Sequence, residues 1–176
     1  MNKNGLDPAA QKFILHWGKM GARWGINRTV AQIHALLYIS KRPLTADEIA
    51  ERLAVARSNV STSIKELSAW GLIKVVHNFG DRCDHFHAES DVWEMFRMIV
   101  EGRKRREFDP ALATLRECMD DTVECDPYTR ARLTELHSFL ETMTTWYQQI
   151  QRIPRGVVMR LVKMGDKVGK ALKALE

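Results

Sequence analysis

Apolar residues recur at three- and four-residue intervals through most of the chain, a spacing typical of amphipathic helices. In the N-terminal part, Asp7 and Pro8 form a capping residue and a first-turn proline, which predicts a helix that ends at Gly25. A second helix is predicted over residues 27–40, after which Pro43 interrupts the pattern. The stretch that follows is the most informative part of the chain.

Two short helical runs come next, separated by only a few residues. Thr45 and Glu48 can form a capping box at the start of the first run, which occupies residues 44–53. Residues 54–57 separate it from a second run at 58–70. This spacing predicts a helix-turn-helix motif, in which the second helix is offered to the DNA major groove.

A β-hairpin is predicted directly after this motif. Residues 72–78 have the composition of a strand, residues 79–84 form a polar turn, and residues 85–88 return as a second strand. A hairpin in this position is called a wing. Helix, turn, helix and wing in this order predict a winged helix-turn-helix unit that binds double-stranded DNA.

Helical periodicity returns after the wing and continues to the end of the chain. The cap-plus-proline signal recurs at 109–110 and 126–127, and Pro154 predicts the start of a last helix. Residues 127–152 carry a heptad-like apolar stripe that is wide enough to require a partner helix. The stripe consists of Leu133, Leu136, Phe139, Leu140, Met143, Tyr147 and Ile150.

The predicted fold is therefore mainly α with a small two-stranded β-wing: a winged helix-turn-helix domain framed by dimerisation helices. We assign residues 1–26 to an N-terminal helix for dimerisation or support, and residues 27–90 to the winged DNA-binding domain. Residues 91–176 form a helical dimerisation region. Because the flanking stripes exceed what a small winged domain can cover, we expect a homodimer that binds a pseudo-palindromic operator.

The second helix of the motif has one apolar and one polar face. Val60, Ile64 and Leu67 should face the core with Ile49 and Leu53. The opposite face carries side chains that read base edges or hold phosphates, and it has no acid before Glu66. A face that only meets solvent would be expected to carry glutamates. We therefore predict DNA contacts from Arg57, Ser58, Asn59, Ser61, Thr62 and Lys65.

Arg82, at the tip of the wing, is the other predicted DNA contact. An arginine on a hairpin can enter the narrow minor groove, where negative potential is concentrated. The alternative is an ion pair with Asp81 or Asp84 that shapes the turn. The two roles are compatible, because a neighbouring carboxylate can orient the guanidinium before DNA arrives.

Composition agrees with a nucleic-acid partner without establishing one. The chain has 176 residues and a formal net charge of +5, which favours a polyanion. It has no apolar run long enough to span a bilayer and no signal-peptide pattern. The three cysteines, Cys83, Cys118 and Cys125, do not make a disulfide framework. We therefore expect a protein of the reducing cytoplasm, without membrane contact.

Three alternatives to a DNA-binding regulator deserve comparison. No phosphate-binding loop, nucleophile elbow or paired-histidine metal helix is present, so we do not expect an enzyme or a cofactor. Cys83, His85 and His87 alternate along one strand and could make a thiol- or metal-responsive regulator. Ligands on one strand rarely complete a tetrahedral site, so we predict no metal. A winged helix that only docks to another protein would carry acids or apolar residues on its recognition face. The polar face of this helix has no acid before Glu66, which does not favour such a docking module.

The stretch from Ile33 to Arg106 resembles the winged-helix MarR superfamily, and specifically its GbsR-like branch. Segments 57–61, 65–67 and 70–72 carry the part of the resemblance that many winged-helix regulators share. More specific segments are Asp81-Arg82, Asp91-Val92-Trp93-Glu94-Met95-Phe96, and Arg103-Lys104-Arg105-Arg106-Glu107 followed by Asp109-Pro110. The resemblance implies a dimeric cytoplasmic transcriptional regulator, most often a repressor released by a small ligand. Members of the branch control osmoprotectant genes and respond to choline-like compounds.

The sequence departs from this branch at Ala56, where relatives usually place a serine as the N-cap of the recognition helix. Without that hydroxyl the helix start should lose roughly 1 kcal/mol of capping, unless Ser58 takes over after a register shift.

Several aromatic residues are candidates for binding a small-molecule effector. Aromatic faces attract a quaternary ammonium group through cation–π interactions, although the same residues also suit core packing. The resemblance favours such a pocket without saying which residues build it. The candidates, at the joint between the winged unit and its flanking helices, are Trp17, Trp24, Tyr38, Trp70 and Trp93.

Overall fold

The structure is a computed structural model that describes residues 5–77, 79–120 and 124–173. It divides into two compact units, Met1–Gly102 and Arg103–Glu176, which we call the N-terminal and C-terminal units. The described residues are mainly helical with one small antiparallel sheet, which confirms the predicted fold class. None of the helices in these ranges has the length and apolar character needed to cross a membrane.

The N-terminal unit contains the winged helix-turn-helix motif and the helices next to it. Its helices are α1 (Pro8–Arg23), α2 (Arg28–Ile39), α3 (Ala46–Leu53), α4 (Arg57–Ala69) and α5 (Val92–Arg103). Its strands are β1 (Leu44–Thr45), β2 (Ile73–Val76) and β3 (His85–Ala88).

The helix starts follow the caps that the sequence predicts. The Asp7 carboxylate accepts a hydrogen bond from the Ala10 N–H at 2.8 Å and caps α1. At α3 both halves of the capping box are present: the Glu48 N–H donates to Thr45 Oγ1 at 3.2 Å, and the Thr45 N–H donates to Glu48 Oε2 at 2.8 Å. α3 then ends at Ala54, whose φ of 52° lies in the left-handed region.

The recognition helix α4 begins one residue earlier than the sequence predicts. Arg57 is its first residue and Ala56 its N-cap, and no side chain caps the helix start. Ser58 therefore does not take over the capping role. Consequently Arg57 belongs to the first turn of the helix, whereas we had placed it in the connecting turn.

The sheet has one strand more than the predicted two-stranded wing. Its order is β1-β3-β2, and β1 pairs antiparallel with β3 through Leu44 and Phe86. Leu44 is fully buried, and the N-cap Thr45 has an extended backbone, so the residues just before α3 can add to the sheet. The sequence analysis assigned these two residues to the start of the helix.

The core of the N-terminal unit lies around α2. Ile33, Leu36 and Leu37 of this helix are fully buried, as are Ile49 of α3 and Val60 of α4. Ile64 and Leu67 are also buried, which agrees with the predicted apolar face of α4. Leu53 of α3 is only partly buried.

Helices α1 and α2 pack at close range because glycine faces α2. A Cβ placed on Gly21 would lie 2.6 Å from the Ala31 Cβ, and one on Gly18 would lie 2.6 Å from Gln32 Cγ. Larger residues would force the two helices apart.

The C-terminal unit starts with a π-helical segment at Lys104–Phe108, followed by α6 (Asp109–Cys118), α7 (Pro127–Gln151) and α8 (Arg155–Lys173). The Asp126 carboxylate caps α7 by accepting from the Tyr128 N–H at 3.0 Å. On α7, five large apolar side chains are exposed within this single chain: Tyr128 at the start of the helix and, further along, Leu136, Phe139, Met143 and Trp146.

Candidate nucleic-acid interface

Helix α4 keeps its apolar face in the core and turns its polar face outward. Val60, Ile64 and Leu67 are buried together with Ser63. Of the six side chains predicted to contact DNA from this helix, Ser61 is half-buried and the other five are exposed. The outward face therefore consists of hydroxyl, amide and cationic side chains.

A groove of about 690 Å³ runs between α4 and the wing, and the start of α3 completes its lining. Four of the seven predicted contact residues line it: Arg57, Ser61, Lys65 and Arg82. The other three, Ser58, Asn59 and Thr62, lie on α4 outside this lining. The groove brings three cationic side chains from two separate elements to one surface.

Arg57 is held by two side chains. Its Nε donates to Asp47 Oδ1 at 2.5 Å, and its Nη1 donates to Ser61 Oγ at 2.8 Å. Asp47 is not among the residues that the sequence predicts at this interface, because nothing in the local pattern places it near Arg57. Only the fold shows that Asp47 faces the first turn of the next helix.

The hydroxyl of Thr62 donates to the Ser58 carbonyl oxygen at 3.1 Å. This bond uses the only proton of the hydroxyl and leaves oxygen lone pairs available as acceptors. Thr62 is thus better suited to accept a hydrogen bond from a base amino group than to donate to a phosphate.

The wing carboxylates pair with histidines, not with Arg82. Asp81 Oδ1 accepts from the Cys83 N–H at 2.9 Å, and its Oδ2 lies 3.5 Å from His85 Nε2. Asp84 lies 3.4 Å from His77. Within the described residues Arg82 makes no ion pair, so the expected pairing with Asp81 or Asp84 is not present.

The wing tip also exposes an aromatic side chain. Phe79 is fully exposed beside Gly80, whose φ of 81° makes the tight turn. The sequence predicts residues 79–84 only as a polar turn. The exposed phenylalanine adds an apolar side chain to this turn.

The cysteine and histidine residues of the wing do not converge. Cys83 is exposed and precedes β3, whereas His85 is buried, with Nδ1 3.1 Å from the Cys83 carbonyl oxygen. His87 is half-buried. Among the residues described by the structure, no group of three or more histidine, cysteine or acidic side chains could hold a metal ion.

A small apolar pocket in the N-terminal unit gathers three of the five candidate effector residues. Trp17, Trp24 and Trp70 line this pocket of about 40 Å³, whereas Tyr38 and Trp93 do not. His34 also lines it, and burial lowers the pKa of this imidazole to about 4. The imidazole is therefore neutral at physiological pH.

Comparison with known proteins shows what the unit that carries this interface is similar to. The MarR family model matches residues 24–82, which include α2, the helix-turn-helix and the first strand and turn of the wing. Over these residues the chain is similar to the MarR family, as the resemblance of its sequence implied.

Two repressors of Bacillus subtilis (strain 168) are similar to this chain. The HTH-type transcriptional repressor GbsR is 25% identical over 140 residues, which cover 76% of this chain and 77% of GbsR. The HTH-type transcriptional repressor OpcR is 23% identical over 73 residues, which cover 42% of this chain and 40% of OpcR.

The fold is also that of a solved transcriptional regulator. Its crystal structure superposes with a TM-score of 0.65 and 21% sequence identity, and covers 81% of this chain and 95% of the other. The fold of this chain is thus one that a solved structure already shows.

Proposed function

We propose that this protein is a sequence-specific DNA-binding regulator that acts as a homodimer on a pseudo-palindromic operator in the cytoplasm. One observation carries the proposal: the outward face of α4 and the wing meet in a groove lined by Arg57, Lys65 and Arg82. Basic and hydroxyl side chains on a helix next to a wing suit the edges of bases and the phosphates around them. The similarity to GbsR and OpcR, both described as repressors, supports repression as the direction of control.

The seven predicted contacts would lie in both grooves of DNA and along its phosphates. Arg57 and Asn59, near the start of α4, would read base edges in the major groove. Ser58, Ser61 and Lys65 would hold phosphates or assist at bases, and Thr62, whose proton is already used, would accept a hydrogen bond from a base amino group. Arg82 would enter the minor groove beside the wing.

The apolar surface of α7 supports the homodimer. Leu136, Phe139, Met143 and Trp146 are 48%, 59%, 41% and 57% exposed, at spacings that place them along one side of the helix. Contiguous apolar surface of this kind marks an interaction site in a water-soluble chain. A symmetric dimer would present two recognition helices about one DNA turn apart, roughly 34 Å.

A small effector would act on this regulator by binding one arrangement of the dimer better than the other. The aromatic pocket formed by Trp17, Trp24 and Trp70 supports a methylated cationic ligand such as choline, because aromatic faces attract such cations. A volume of about 40 Å³ has room for only a few water molecules, so the pocket would have to open around the ligand. Tyr38 and Trp93 would contribute only after such opening.

Tryptophan fluorescence tests the effector. Choline or betaine at micromolar to millimolar concentration should change the emission and weaken operator binding. Trp70→Phe should reduce the change, whereas Trp146→Phe, in the C-terminal unit, should retain it. Unchanged emission together with unchanged operator affinity would eliminate these ligands and leave the DNA-binding proposal intact.

DNA binding is tested with the fragment upstream of the protein's own gene and a random duplex of the same length, each at two salt concentrations. A regulator should prefer the upstream fragment and bind both duplexes less tightly as salt rises, because phosphate contacts release counterions. A protein-docking module would bind neither duplex. A thiol-responsive regulator, the other alternative, would lose binding upon oxidation of Cys83 and keep it in Cys83→Ser.

A further inference from the structure

We propose that Asp47 is a positioning residue for Arg57: it holds the guanidinium in the orientation in which its free end can read a guanine. The inference rests on the proposed function, and it assigns a specificity role to a side chain of α3, outside the recognition helix.

The two hydrogen bonds of Arg57 define its orientation. Asp47 Oδ1 accepts from Nε at 2.5 Å, and Ser61 Oγ accepts from Nη1 at 2.8 Å. Neither bond uses Nη2, and Nη1 has a second proton. Three donor protons of the guanidinium are therefore left for DNA, and a pair of such donors can bond to O6 and N7 of guanine.

The helix dipole favours an acid in the first turn of α3, but it does not require that acid to contact Arg57. The side chain of Asp47 is 80% exposed and that of Arg57 is 51% exposed, and ion pairs as exposed as this contribute little to folding. Asp47 is also not part of the capping box of α3, which uses Thr45 and Glu48. It does line the groove together with Arg57, Lys65 and Arg82, where a negative charge repels the phosphates of any duplex.

A carboxylate in this place therefore has two effects of opposite sign. Its charge weakens binding to every duplex. Its hydrogen bond orients Arg57 before DNA arrives, which reduces the entropy lost when the arginine engages a guanine. On an operator the second effect outweighs the first, and on random DNA only the first remains. Asp47 thus increases the ratio of specific to nonspecific affinity.

The full-length chain carrying Asp47→Ala tests the inference, with the upstream fragment as operator and a random duplex of equal length as competitor. Operator affinity should fall about three- to tenfold as the orientation of Arg57 is lost. Affinity for the random duplex should stay the same or rise about two- to threefold as the repulsion is removed. In the Arg57→Ala background, Asp47→Ala should no longer reduce operator affinity.

Glu51→Ala is the matched control. Glu51 is an exposed acid of the same helix that does not line the groove, so its removal takes away the same charge without touching Arg57. The operator-to-random ratio should stay within about twofold of wild type. Thermal unfolding of each variant confirms that the fold is retained.

The outcomes separate the positioning role from other roles. Equal changes on both duplexes, in either direction, would mean that Asp47 acts only through charge or folding, and would overturn the inference. So would an operator loss that persists without Arg57. A wild-type chain that does not distinguish the two duplexes would contradict the proposed function itself, and with it this inference.

Discussion

Ala56 is the N-cap residue of the recognition helix, and its side chain cannot cap the helix start. Relatives of the GbsR-like branch are expected to carry serine at this position. The first N–H groups of α4 therefore lack a side-chain acceptor. Ala56→Ser should add that acceptor and raise the free energy of unfolding by roughly 1 kcal/mol. Urea denaturation measures this change. Ala69→Ser, at the other end of the same helix, is the control and should give no gain, because no free N–H groups are present there.

His34 should make the stability of the N-terminal unit depend on pH. Burial lowers its pKa from the usual 6.5 to about 4, so the folded chain holds the neutral imidazole while the unfolded chain is protonated more readily. The free energy of unfolding should therefore be highest above pH 6.5. It should fall as pH decreases from 6.5 towards 4, by up to about 1.4 kcal/mol per pH unit.

His34→Leu removes the titrating group and should flatten this part of the pH profile. Unfolding measured at pH 7, 6 and 5 provides the test, with the exposed residue His16 replaced by glutamine as the control. His16→Gln should keep the wild-type pH dependence. If His34→Leu keeps it as well, titration of His34 does not control stability in this range.

Mutations of the side chains that read bases and of those that hold the DNA backbone should have different effects on DNA binding. Arg57→Ala and Asn59→Ala should each cost about 1–3 kcal/mol on the operator and relax base preference, since both side chains are placed to read base edges. Lys65→Ala and Arg82→Ala should weaken binding more evenly across sequences and reduce its salt dependence. Affinities on the operator and on a random duplex, at two salt concentrations, measure both effects. Unchanged operator affinity in the first pair would mean that α4 is oriented differently on DNA.

The elements that the sequence predicts well are those with local signals. Asp7, Thr45 and Asp126 each cap the helix that follows, as expected from the adjacent residues alone. β1 was missed because its two residues become a strand only through pairing with β3, about forty residues later in the chain. Local patterns do not contain that pairing.

The same difference between local signals and tertiary contacts holds for the candidate site. The polar face of α4 can be predicted from helical periodicity, and so can the residues on it. The bond between Asp47 and Arg57 joins two helices across a left-handed turn at Ala54, and the pairing of Asp81 with His85 depends on how the wing folds. These partners are set by tertiary geometry. The sequence therefore predicts the polar face of α4 but not the side chains that hold its residues.

At the scale of the whole molecule, the exposed apolar side of α7 should hold two chains together. Phe139→Glu places a charge in the middle of this surface and should produce monomers at micromolar concentration, because an unpaired charge in an apolar interface is costly. Gln148→Glu, at an exposed position on another side of the same helix, should leave the dimer intact. Light scattering measures the mass. A wild-type monomer at this concentration would remove the dimer and the expectation of a symmetric operator.

The central claim is that two copies of α4 and its wing read a specific DNA sequence. Selection from a pool of random duplexes tests it most directly, since it assumes nothing about the target gene. The account predicts that rounds of binding by the wild-type chain enrich an inverted repeat whose half-site centres lie about 10 base pairs apart, and that Arg57→Ala loses this enrichment. A pool that remains random after selection by the folded wild-type protein would contradict the account.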